Sequence, residues 1–219
     1  MRKCPPPTMQ EEQLLLAKGY RFIAGIDEAG RGALAGPVAA AAVVLPAGAD
    51  FPWLAQVHDS KLLSPRQREA LYPCIKRDAL AVGVAMVSPQ DIDNMGILPA
   101  TLLAMRMAAA QLAPQADFLL IDGTQAPHSK LPRKTIVRGD RLCLSIACAS
   151  IVAKVTRDNL MCELDRQYPG YGLAQHKGYG TEQHLSCLRQ LGACRIHRHS
   201  FAPMKTPLFA DGSEHPETD

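Results

Sequence analysis

No stretch of apolar residues in this chain reaches the roughly 20 needed to cross a bilayer as a helix. The opening Met1-Arg2-Lys3-Cys4-Pro5-Pro6-Pro7 carries charge and proline but not the apolar core of a secretory leader, so a cytoplasmic protein without membrane contact is expected. No C-x-x-C pair occurs among the seven cysteines (Cys4, Cys74, Cys143, Cys148, Cys162, Cys187 and Cys194), and their number is odd. That argues against a disulfide framework and a thiolate zinc site, and leaves most of them as small buried hydrophobes in a reducing compartment. There is no internal repeat and no low-complexity tract beyond the proline triplet. Two segments lack one sign of charge. Residues 206–219 hold Asp211, Glu214, Glu217 and Asp219 but no Lys or Arg, whereas residues 189–205 hold Arg189, Arg195, Arg198 and Lys205 but no acid.

What is present suits a globular protein: 219 residues, 47% apolar and 21% charged, enough for one ample core. The net charge is +3, and setting the acidic end aside leaves +7 on residues 1–205. A basic body suits a polyanionic partner, although a solvated surface explains the charge alone equally well. The expected organisation is an N-terminal extension with a short helix over 1–17, a main domain over 18–205 that closes in a helical segment, and an acidic, disordered tail over 206–219. Within that tail Pro207-Leu208-Phe209 could serve as a short contact for a replication protein.

Thr8 and Glu11 fit a capping box and place a short helix over 12–17. Strands are expected at 22–27, 38–45, 80–87, 117–121 and 134–138; the second is almost wholly apolar and so buried on both faces. Ser64-Pro65 opens a helix reaching 76, Ser88-Pro89 caps a short helical turn, and further helices cover 97–112, 145–167 and 181–191. Hairpin-connected strands followed by a crossover, with helices covering the sheet, describe a mixed-sheet α/β domain.

Four acids fall where these strands end: Asp27, Glu28, Asp122 and Asp140. Carboxylates brought together repel unless a cation neutralises them, and hard divalent ions such as Mg²⁺ or Mn²⁺ prefer such oxygen ligands. Two ions roughly 4 Å apart would activate water and stabilise the leaving oxygen of a phosphodiester. Each acid taken alone could equally cap a turn, since Asp-Gly and Gly-Asp are common turn pairs.

Directly after Asp27-Glu28 runs Ala29-Gly30-Arg31-Gly32, whose glycines let the backbone approach a ligand and whose Arg31 can bind phosphate. The run Gly25-Ile26-Asp27-Glu28-Ala29-Gly30-Arg31-Gly32 resembles the signature of the ribonuclease HII family. Further blocks resemble that family in order: Asp59-Ser60-Lys61-Leu62-Leu63-Ser64, then Leu120-Ile121-Asp122-Gly123, then Gly139-Asp140 with the segment Ser145 to Asp158. Gln175-His176-Lys177-Gly178-Tyr179-Gly180-Thr181 and His197-Arg198-His199-Ser200-Phe201-Ala202-Pro203 complete the set, and the resemblance spans about 24–205.

The resemblance implies a ribonuclease H-like fold, a mixed five-stranded sheet flanked by helices, acting as a monomer. It implies an endonuclease that hydrolyses the RNA strand of RNA–DNA hybrids and cuts 5′ to ribonucleotides embedded in duplex DNA, leaving 3′-hydroxyl and 5′-phosphate ends, with two Mn²⁺ or Mg²⁺ ions. The catalytic, metal-holding acids fall on Asp27, Glu28, Asp122 and Asp140. The junction-reading loop falls on Gly30, Arg31 and Gly32, and the substrate-sensing tyrosine on Tyr179. Only the 2′-hydroxyl distinguishes one ribonucleotide from DNA, and glycine-loop backbone groups together with a phenol can engage it.

Lys61, Lys154 and Lys177 could each grip phosphate, and Ser150 could face the substrate, although a solvated lysine or a serine bonded to its own helix is the plain alternative. Departures from the family pattern are Ala33 for proline, Leu62 for the second lysine of its D-S-K-K-L-S, and Cys148 for alanine; none touches the four acids. The segment Cys194 to His199 fits no common closed zinc site and reads instead as a phosphate-facing basic segment. Three rivals remain: a binding protein that keeps the fold without catalysis would need a core acid lost, a nuclease resolving DNA junctions would have no use for the Gly-Arg-Gly loop, and neither the acid arrangement nor the basic face favours a small-molecule phosphohydrolase.

Overall fold

Val38–Val44 (β2) is a run of valine and alanine buried at every position, which only a strand covered on both faces tolerates. In the computed structural model, which describes residues 5–205, it lies between Ile23–Ala29 (β1) and Ala81–Val87 (β3), antiparallel to both. Phe118–Asp122 (β4) then pairs parallel with β1, and Arg133–Ile136 (β5) parallel with β4. The sheet therefore has the order β3-β2-β1-β4-β5, mixed as the alternation of hairpins and crossover implies.

Seven α-helices and two short 3-10 turns, Pro52–Gln56 and Gly139–Arg141, complete the fold among the described residues; the α-helices are Gln10–Leu16 (α1), Pro65–Asp78 (α2), Pro89–Met95 (α3), Ile97–Ala110 (α4), Leu144–Gln167 (α5), Leu173–His176 (α6) and Glu182–Leu191 (α7). Alternate side chains of β2 split between the two faces. Ala40, Ala42 and Val44 pack with Ala104, Met105 and Ala108 of α4, while Ala41 and Val43 pack with Ala147, Ile151 and Val152 of α5. Small strand residues allow close helix approach, and Gly25 marks its limit. A Cβ there would lie 2.2 Å from the carbonyl carbon of Ser145, so α5 rests directly on the backbone of β1. Gly25→Ala is therefore expected to lower the thermal midpoint by at least roughly 6 °C, the effect of about 3 kcal/mol of overpacking in a domain of this size. An unchanged midpoint in a thermal melt would show that α5 can retreat freely.

The α1 helix forms, but not by the expected cap. Thr8 spends its main chain on Leu142 and Leu144 (3.0 Å each), and its hydroxyl accepts only the Gln10 amide at 3.4 Å, not that of Glu11 as a capping box requires. Glu11 turns instead to Lys134 at 2.7 Å. Glu12 is buried and receives the amide and hydroxyl of Ser145 at 2.9 and 2.6 Å, so it caps α5 rather than α1. Among the described cysteines, all free, only Cys143 and Cys148 are fully buried; Cys74, Cys162, Cys187 and Cys194 are half-buried, which corrects the expectation that most are core residues. No helix of the described residues is long and apolar enough to cross a membrane. The Pro207-Leu208-Phe209 segment lies outside the described residues.

Candidate active site

Two parallel strands in register deliver the first pair of acids. Ile26 of β1 lies opposite Ile121 of β4, so the next residues, Asp27 and Asp122, stand side by side where the pairing of these two strands ends, β1 itself running on to Ala29 along β2. Asp27 is buried on the α5 side, bonded to the Glu28 amide at 2.7 Å. Burial pushes its carboxyl well above the usual range; the charges of Glu28 and Asp122 add to the rise, and the Ser150 hydroxyl opposes it.

The chain after β5 turns through Arg138, in the left-handed region, into a tight turn over Gly139–Arg141. The Gly139 amide donates to Asp122 Oδ1 at 2.6 Å, tying the third acid to the turn that carries the fourth. Burial, then the charges of Asp59 and Asp122, pushes Asp140 up to about 6. Asp59 is thus a fifth acid of the cluster, visible in the sequence only as the first residue of the Asp59-Ser60-Lys61 block. Burial alone would raise it, but the Lys61 amide (2.9 Å), Arg141 (2.9 Å) and a hydrogen bond with Asp140 outweigh burial and hold it below the usual range.

The glycine loop is ordered by two buried arginines bonded to main-chain carbonyls. Arg157 donates to Pro37, Lys177 and Ala35 oxygens at 2.9, 2.9 and 3.0 Å; Arg198 donates to Gly36 and Arg31 oxygens at 3.0 and 2.9 Å. Their burial lowers both, Arg198 to about 9. Arg31 itself projects outward, half-exposed, with Nη1 at 3.3 Å from Glu28 Oε1.

Most of the expected residues meet in one cleft. A cavity of about 580 Å³ is lined by Asp27, Glu28, Gly30, Arg31, Gly32, Lys61, Ser150, Lys154 and Tyr179. Asp122 opens with Glu28 and Arg31 onto an adjoining pocket of about 90 Å³, and Asp140 is buried beneath. Ser150 bonds Ser60 at 2.7 Å, so its hydroxyl faces the cleft rather than its own helix. Lys154 pairs with Asp158 at 2.8 Å and stands 5.5 Å from the Tyr179 ring, with Arg157 at 5.6 Å from it.

Lys177 does not join them. Its ammonium donates to Ala174 oxygen at 2.6 Å and Cys162 sulfur at 2.9 Å, because its left-handed backbone turns the side chain back onto α5 and α6. Its ammonium is thus turned away from the cleft, contrary to the expected phosphate contact, and its carbonyl is held by Arg157. In the Cys194 to His199 segment His197 and Arg198 are buried and so face no phosphate, whereas Arg195, over the Tyr168 ring at 5.5 Å, and His199 are exposed.

Sequence reasoning missed Arg68, Arg157 and Arg198. Two of them were signalled: Arg68 shares the buried stripe of α2 with Leu71 and Ile75, and Arg157 that of α5 with Ala153 and Met161. An arginine on an apolar stripe announces a buried partner. Arg68 spends its charge on the carbonyls of Ser60 and Leu63, at 2.7 and 2.5 Å, and so shapes the loop that presents Lys61.

As donors the acids suit a hard divalent cation: oxygen ligands only, with two carboxyls raised first by burial and then by the charges of their neighbours. Among the described residues no three His, Cys, Asp or Glu side chains already stand close enough to hold an ion, and Glu28 is turned towards Arg31.

A family model described as Ribonuclease HII matches residues 24–204. A Ribonuclease HII of Dehalococcoides mccartyi is 55% identical over 199 residues, covering 91% of this chain and 94% of that one. Among solved structures, the ribonuclease H2 of Pyrococcus horikoshii superposes with a TM-score of 0.69 at 24% identity, over 84% of this chain and 95% of the other. Bst-RNase HIII in complex with Mn²⁺ superposes with a TM-score of 0.61 at 17% identity, over 85% and 68%. The last two likenesses concern the fold.

Proposed function

Since the chain belongs to the ribonuclease HII family and is a metal-dependent ribonuclease H acting on RNA–DNA hybrids, we propose that it also cuts 5′ to single ribonucleotides embedded in duplex DNA, leaving 3′-hydroxyl and 5′-phosphate ends. The observation that carries this reading is the convergence of a carboxylate cluster, the Gly30-Arg31-Gly32 loop and Tyr179 on one cleft. Acids alone describe a nuclease; a glycine loop and a phenol beside them describe one that reads a sugar hydroxyl.

Asp27, Glu28, Asp122 and Asp140 would hold the ions, Mn²⁺ or Mg²⁺, two during catalysis; Mn²⁺ is also the ion of the Bst-RNase HIII complex. Bound there, such ions supply charge stabilisation at the phosphate and lower the pKa of water. This chain's residues do the rest. The Glu28 amide and Ser150 fix the Asp27 carboxylate, the Gly139 amide fixes Asp122, and Asp59 with Arg141 braces Asp140. Arg31, Lys61 and Lys154 offer positive charge to flanking phosphates. Glu28 must leave Arg31 to take up an ion, which frees Arg31 for phosphate.

Raised carboxyls set the pH dependence of ion binding. Asp140 and Asp27 disfavour their charged forms in the metal-free fold, a cost present above about 6 for Asp140 and relieved as pH falls through that value. Protons then compete with the ion. The stabilisation on adding Mn²⁺ or Mg²⁺, on the order of 1–3 kcal/mol at saturating ion and read as a rise in thermal midpoint, is expected to be larger at pH 7.5 than at pH 5.5. Equal gains at both values would mean that these acids are not the ion's ligands.

The reading is tested by end analysis. A strand-labelled RNA–DNA hybrid and a duplex with one ribonucleotide are incubated with Mn²⁺ or Mg²⁺ and with EDTA. The expected products carry 3′-hydroxyl and 5′-phosphate ends and vanish with EDTA. A 2′,3′-cyclic end, or cutting that survives EDTA, overturns the mechanism.

A further inference from the structure

Behind Tyr179, away from the cleft, lies a buried chain of imidazoles that the proposed chemistry does not use. His184, in the first turn of α7, is fully buried, and so is His197. Their Nε2 atoms are 3.1 Å apart. The outer nitrogens end on main chain: His197 Nδ1 lies 3.0 Å from the Cys194 amide, and His184 Nδ1 lies 3.0 Å from the Tyr179 carbonyl.

One tautomer pattern satisfies the whole run. The Cys194 amide can only donate, so His197 Nδ1 accepts, and the Cys194 thiol at 3.2 Å can donate to it as well; the Cys194 carbonyl, also 3.2 Å from Nδ1, already takes the His197 amide at 2.9 Å and needs no hydrogen from the ring. His197 Nε2 then carries the hydrogen and gives it to a bare His184 Nε2. His184 Nδ1 must therefore carry its own hydrogen, which it donates to the Tyr179 carbonyl. A proton added to either ring sets donor against donor. Burial favours the neutral rings, pushing both histidines down to about 4.

The peptide held in this way has little preference of its own. Tyr179 sits between Gly178, in the left-handed region, and Gly180. The Gly178 amide is bonded to His176 Nδ1 at 3.2 Å, and the His176 ring stacks on His184 with centroids 4.3 Å apart. The Gly178 carbonyl accepts from the Leu34 amide at 2.7 Å, which ties the tyrosine segment to the glycine loop. The Tyr179 carbonyl takes the Thr181 amide at 2.8 Å as well as His184. Both lone pairs of that oxygen are thus engaged, and the direction in which the ring leaves the backbone is defined.

We propose that His184 is a positioning residue for ribonucleotide recognition: the His197–His184 relay fixes the Tyr179 peptide and thereby where the phenol ring meets the sugar at the cleavage site. This rests on the reading of the cleft as a ribonucleotide-recognising site. A histidine that merely filled the core would affect stability without acting through Tyr179.

The test is a double-mutant cycle on the full chain, read as kcat/KM on a DNA duplex carrying one ribonucleotide. His184→Leu removes the donor and is expected to lose roughly tenfold, the scale of one directing hydrogen bond. His184→Asn keeps an N–H where Nδ1 stood and is expected to stay within about threefold of wild type. In a Tyr179→Ala background His184→Leu is expected to cost no more than about twofold further. Should His184→Leu cost the same in both backgrounds, or His184→Asn lose as much as Leu, the proposal is overturned.

Imidazole nitrogen NMR of the wild type decides the matter even if the Leu variant does not fold. Hydrogen on Nδ1 of His184 and on Nε2 of His197 is expected. With EDTA present, the His184 resonances should move on adding the one-ribonucleotide duplex and not on adding all-DNA duplex; the reverse tautomers, or equal shifts with both, overturn the relay. Wild type that fails to cut the ribonucleotide duplex sinks the functional reading and this inference with it. Wild type that cuts, with non-coupled His184 and Tyr179, sinks the inference alone.

Discussion

Asp27→Asn is expected to reduce hybrid cleavage by on the order of 10³-fold or more, while the metal-free variant melts at a higher temperature than the metal-free wild type. Asn occupies the same volume, still accepts the Glu28 amide and can donate to Ser150, so the packing of β1 against α5 is kept. What disappears is a buried negative charge whose carboxyl is raised by burial and by its neighbours Glu28 and Asp122. Removing it relieves repulsion in the empty cluster and removes a ligand from the filled one. Opposite signs for stability and activity are the mark of a residue kept for function at a cost to the fold. Melts in EDTA and single-turnover cleavage measure the two halves. A variant that loses activity and also melts lower in EDTA would mean that Asp27 is structural.

Gly30→Ala is expected to lower kcat/KM on a one-ribonucleotide duplex by roughly 10²-fold, the scale of an ångström-sized misplacement of a substrate-positioning group. Two effects combine. Gly30 has φ +88°, where a Cβ is strained, and that Cβ would lie far inside van der Waals contact of Arg157 Nε. Arg157 cannot yield, because its guanidinium is bonded to three carbonyls spread over Ala35, Pro37 and Lys177. The loop must lift, carrying Arg31 and the flanking backbone groups away from the acids. Cutting of the hybrid and of the single-ribonucleotide duplex, compared with wild type, measures the effect. Full activity would show that the loop's position is immaterial to the reaction.

Much of the fold and of the site is legible in the amino-acid sequence. The unbroken apolar run of β2, the proline-opened α2 and Asp122 at the end of β4 follow from local rules and stand where those rules place them. By contrast, β1 runs on past Asp27 and Glu28 to Ala29, and β5 ends at Ile136, leaving Asp140 in a following turn. What local rules cannot supply is pairing. That Asp27 and Asp122 are neighbours depends on parallel register between strands about ninety residues apart, Ile26 against Ile121, which no spacing reveals. Thr8 and Glu11 satisfy a capping pattern, yet the tertiary bonds of Thr8 to Leu142 and Leu144 and the ion pair of Glu11 with Lys134 take precedence. Lys177 looks like any basic residue in a glycine-rich segment; only its left-handed backbone decides that the ammonium points inward. Asp59 is hidden by its company, since Asp-Ser-Lys-Leu reads as a turn until Arg141 and Asp140 are seen beside it.

The most direct test of ribonucleotide recognition at this cleft is cleavage of a labelled DNA duplex containing one ribonucleotide, with an all-DNA duplex of the same sequence as control and Asp122→Asn alongside wild type. With Mn²⁺ or Mg²⁺, the wild type is expected to cut once, on the 5′ side of the ribonucleotide, to leave the all-DNA duplex intact, and to lose cutting with Asp122→Asn. Tight binding of the ribonucleotide duplex without cutting would contradict this in favour of a binding protein, and equal cutting of the all-DNA duplex would show that the glycine loop and Tyr179 do not read the sugar.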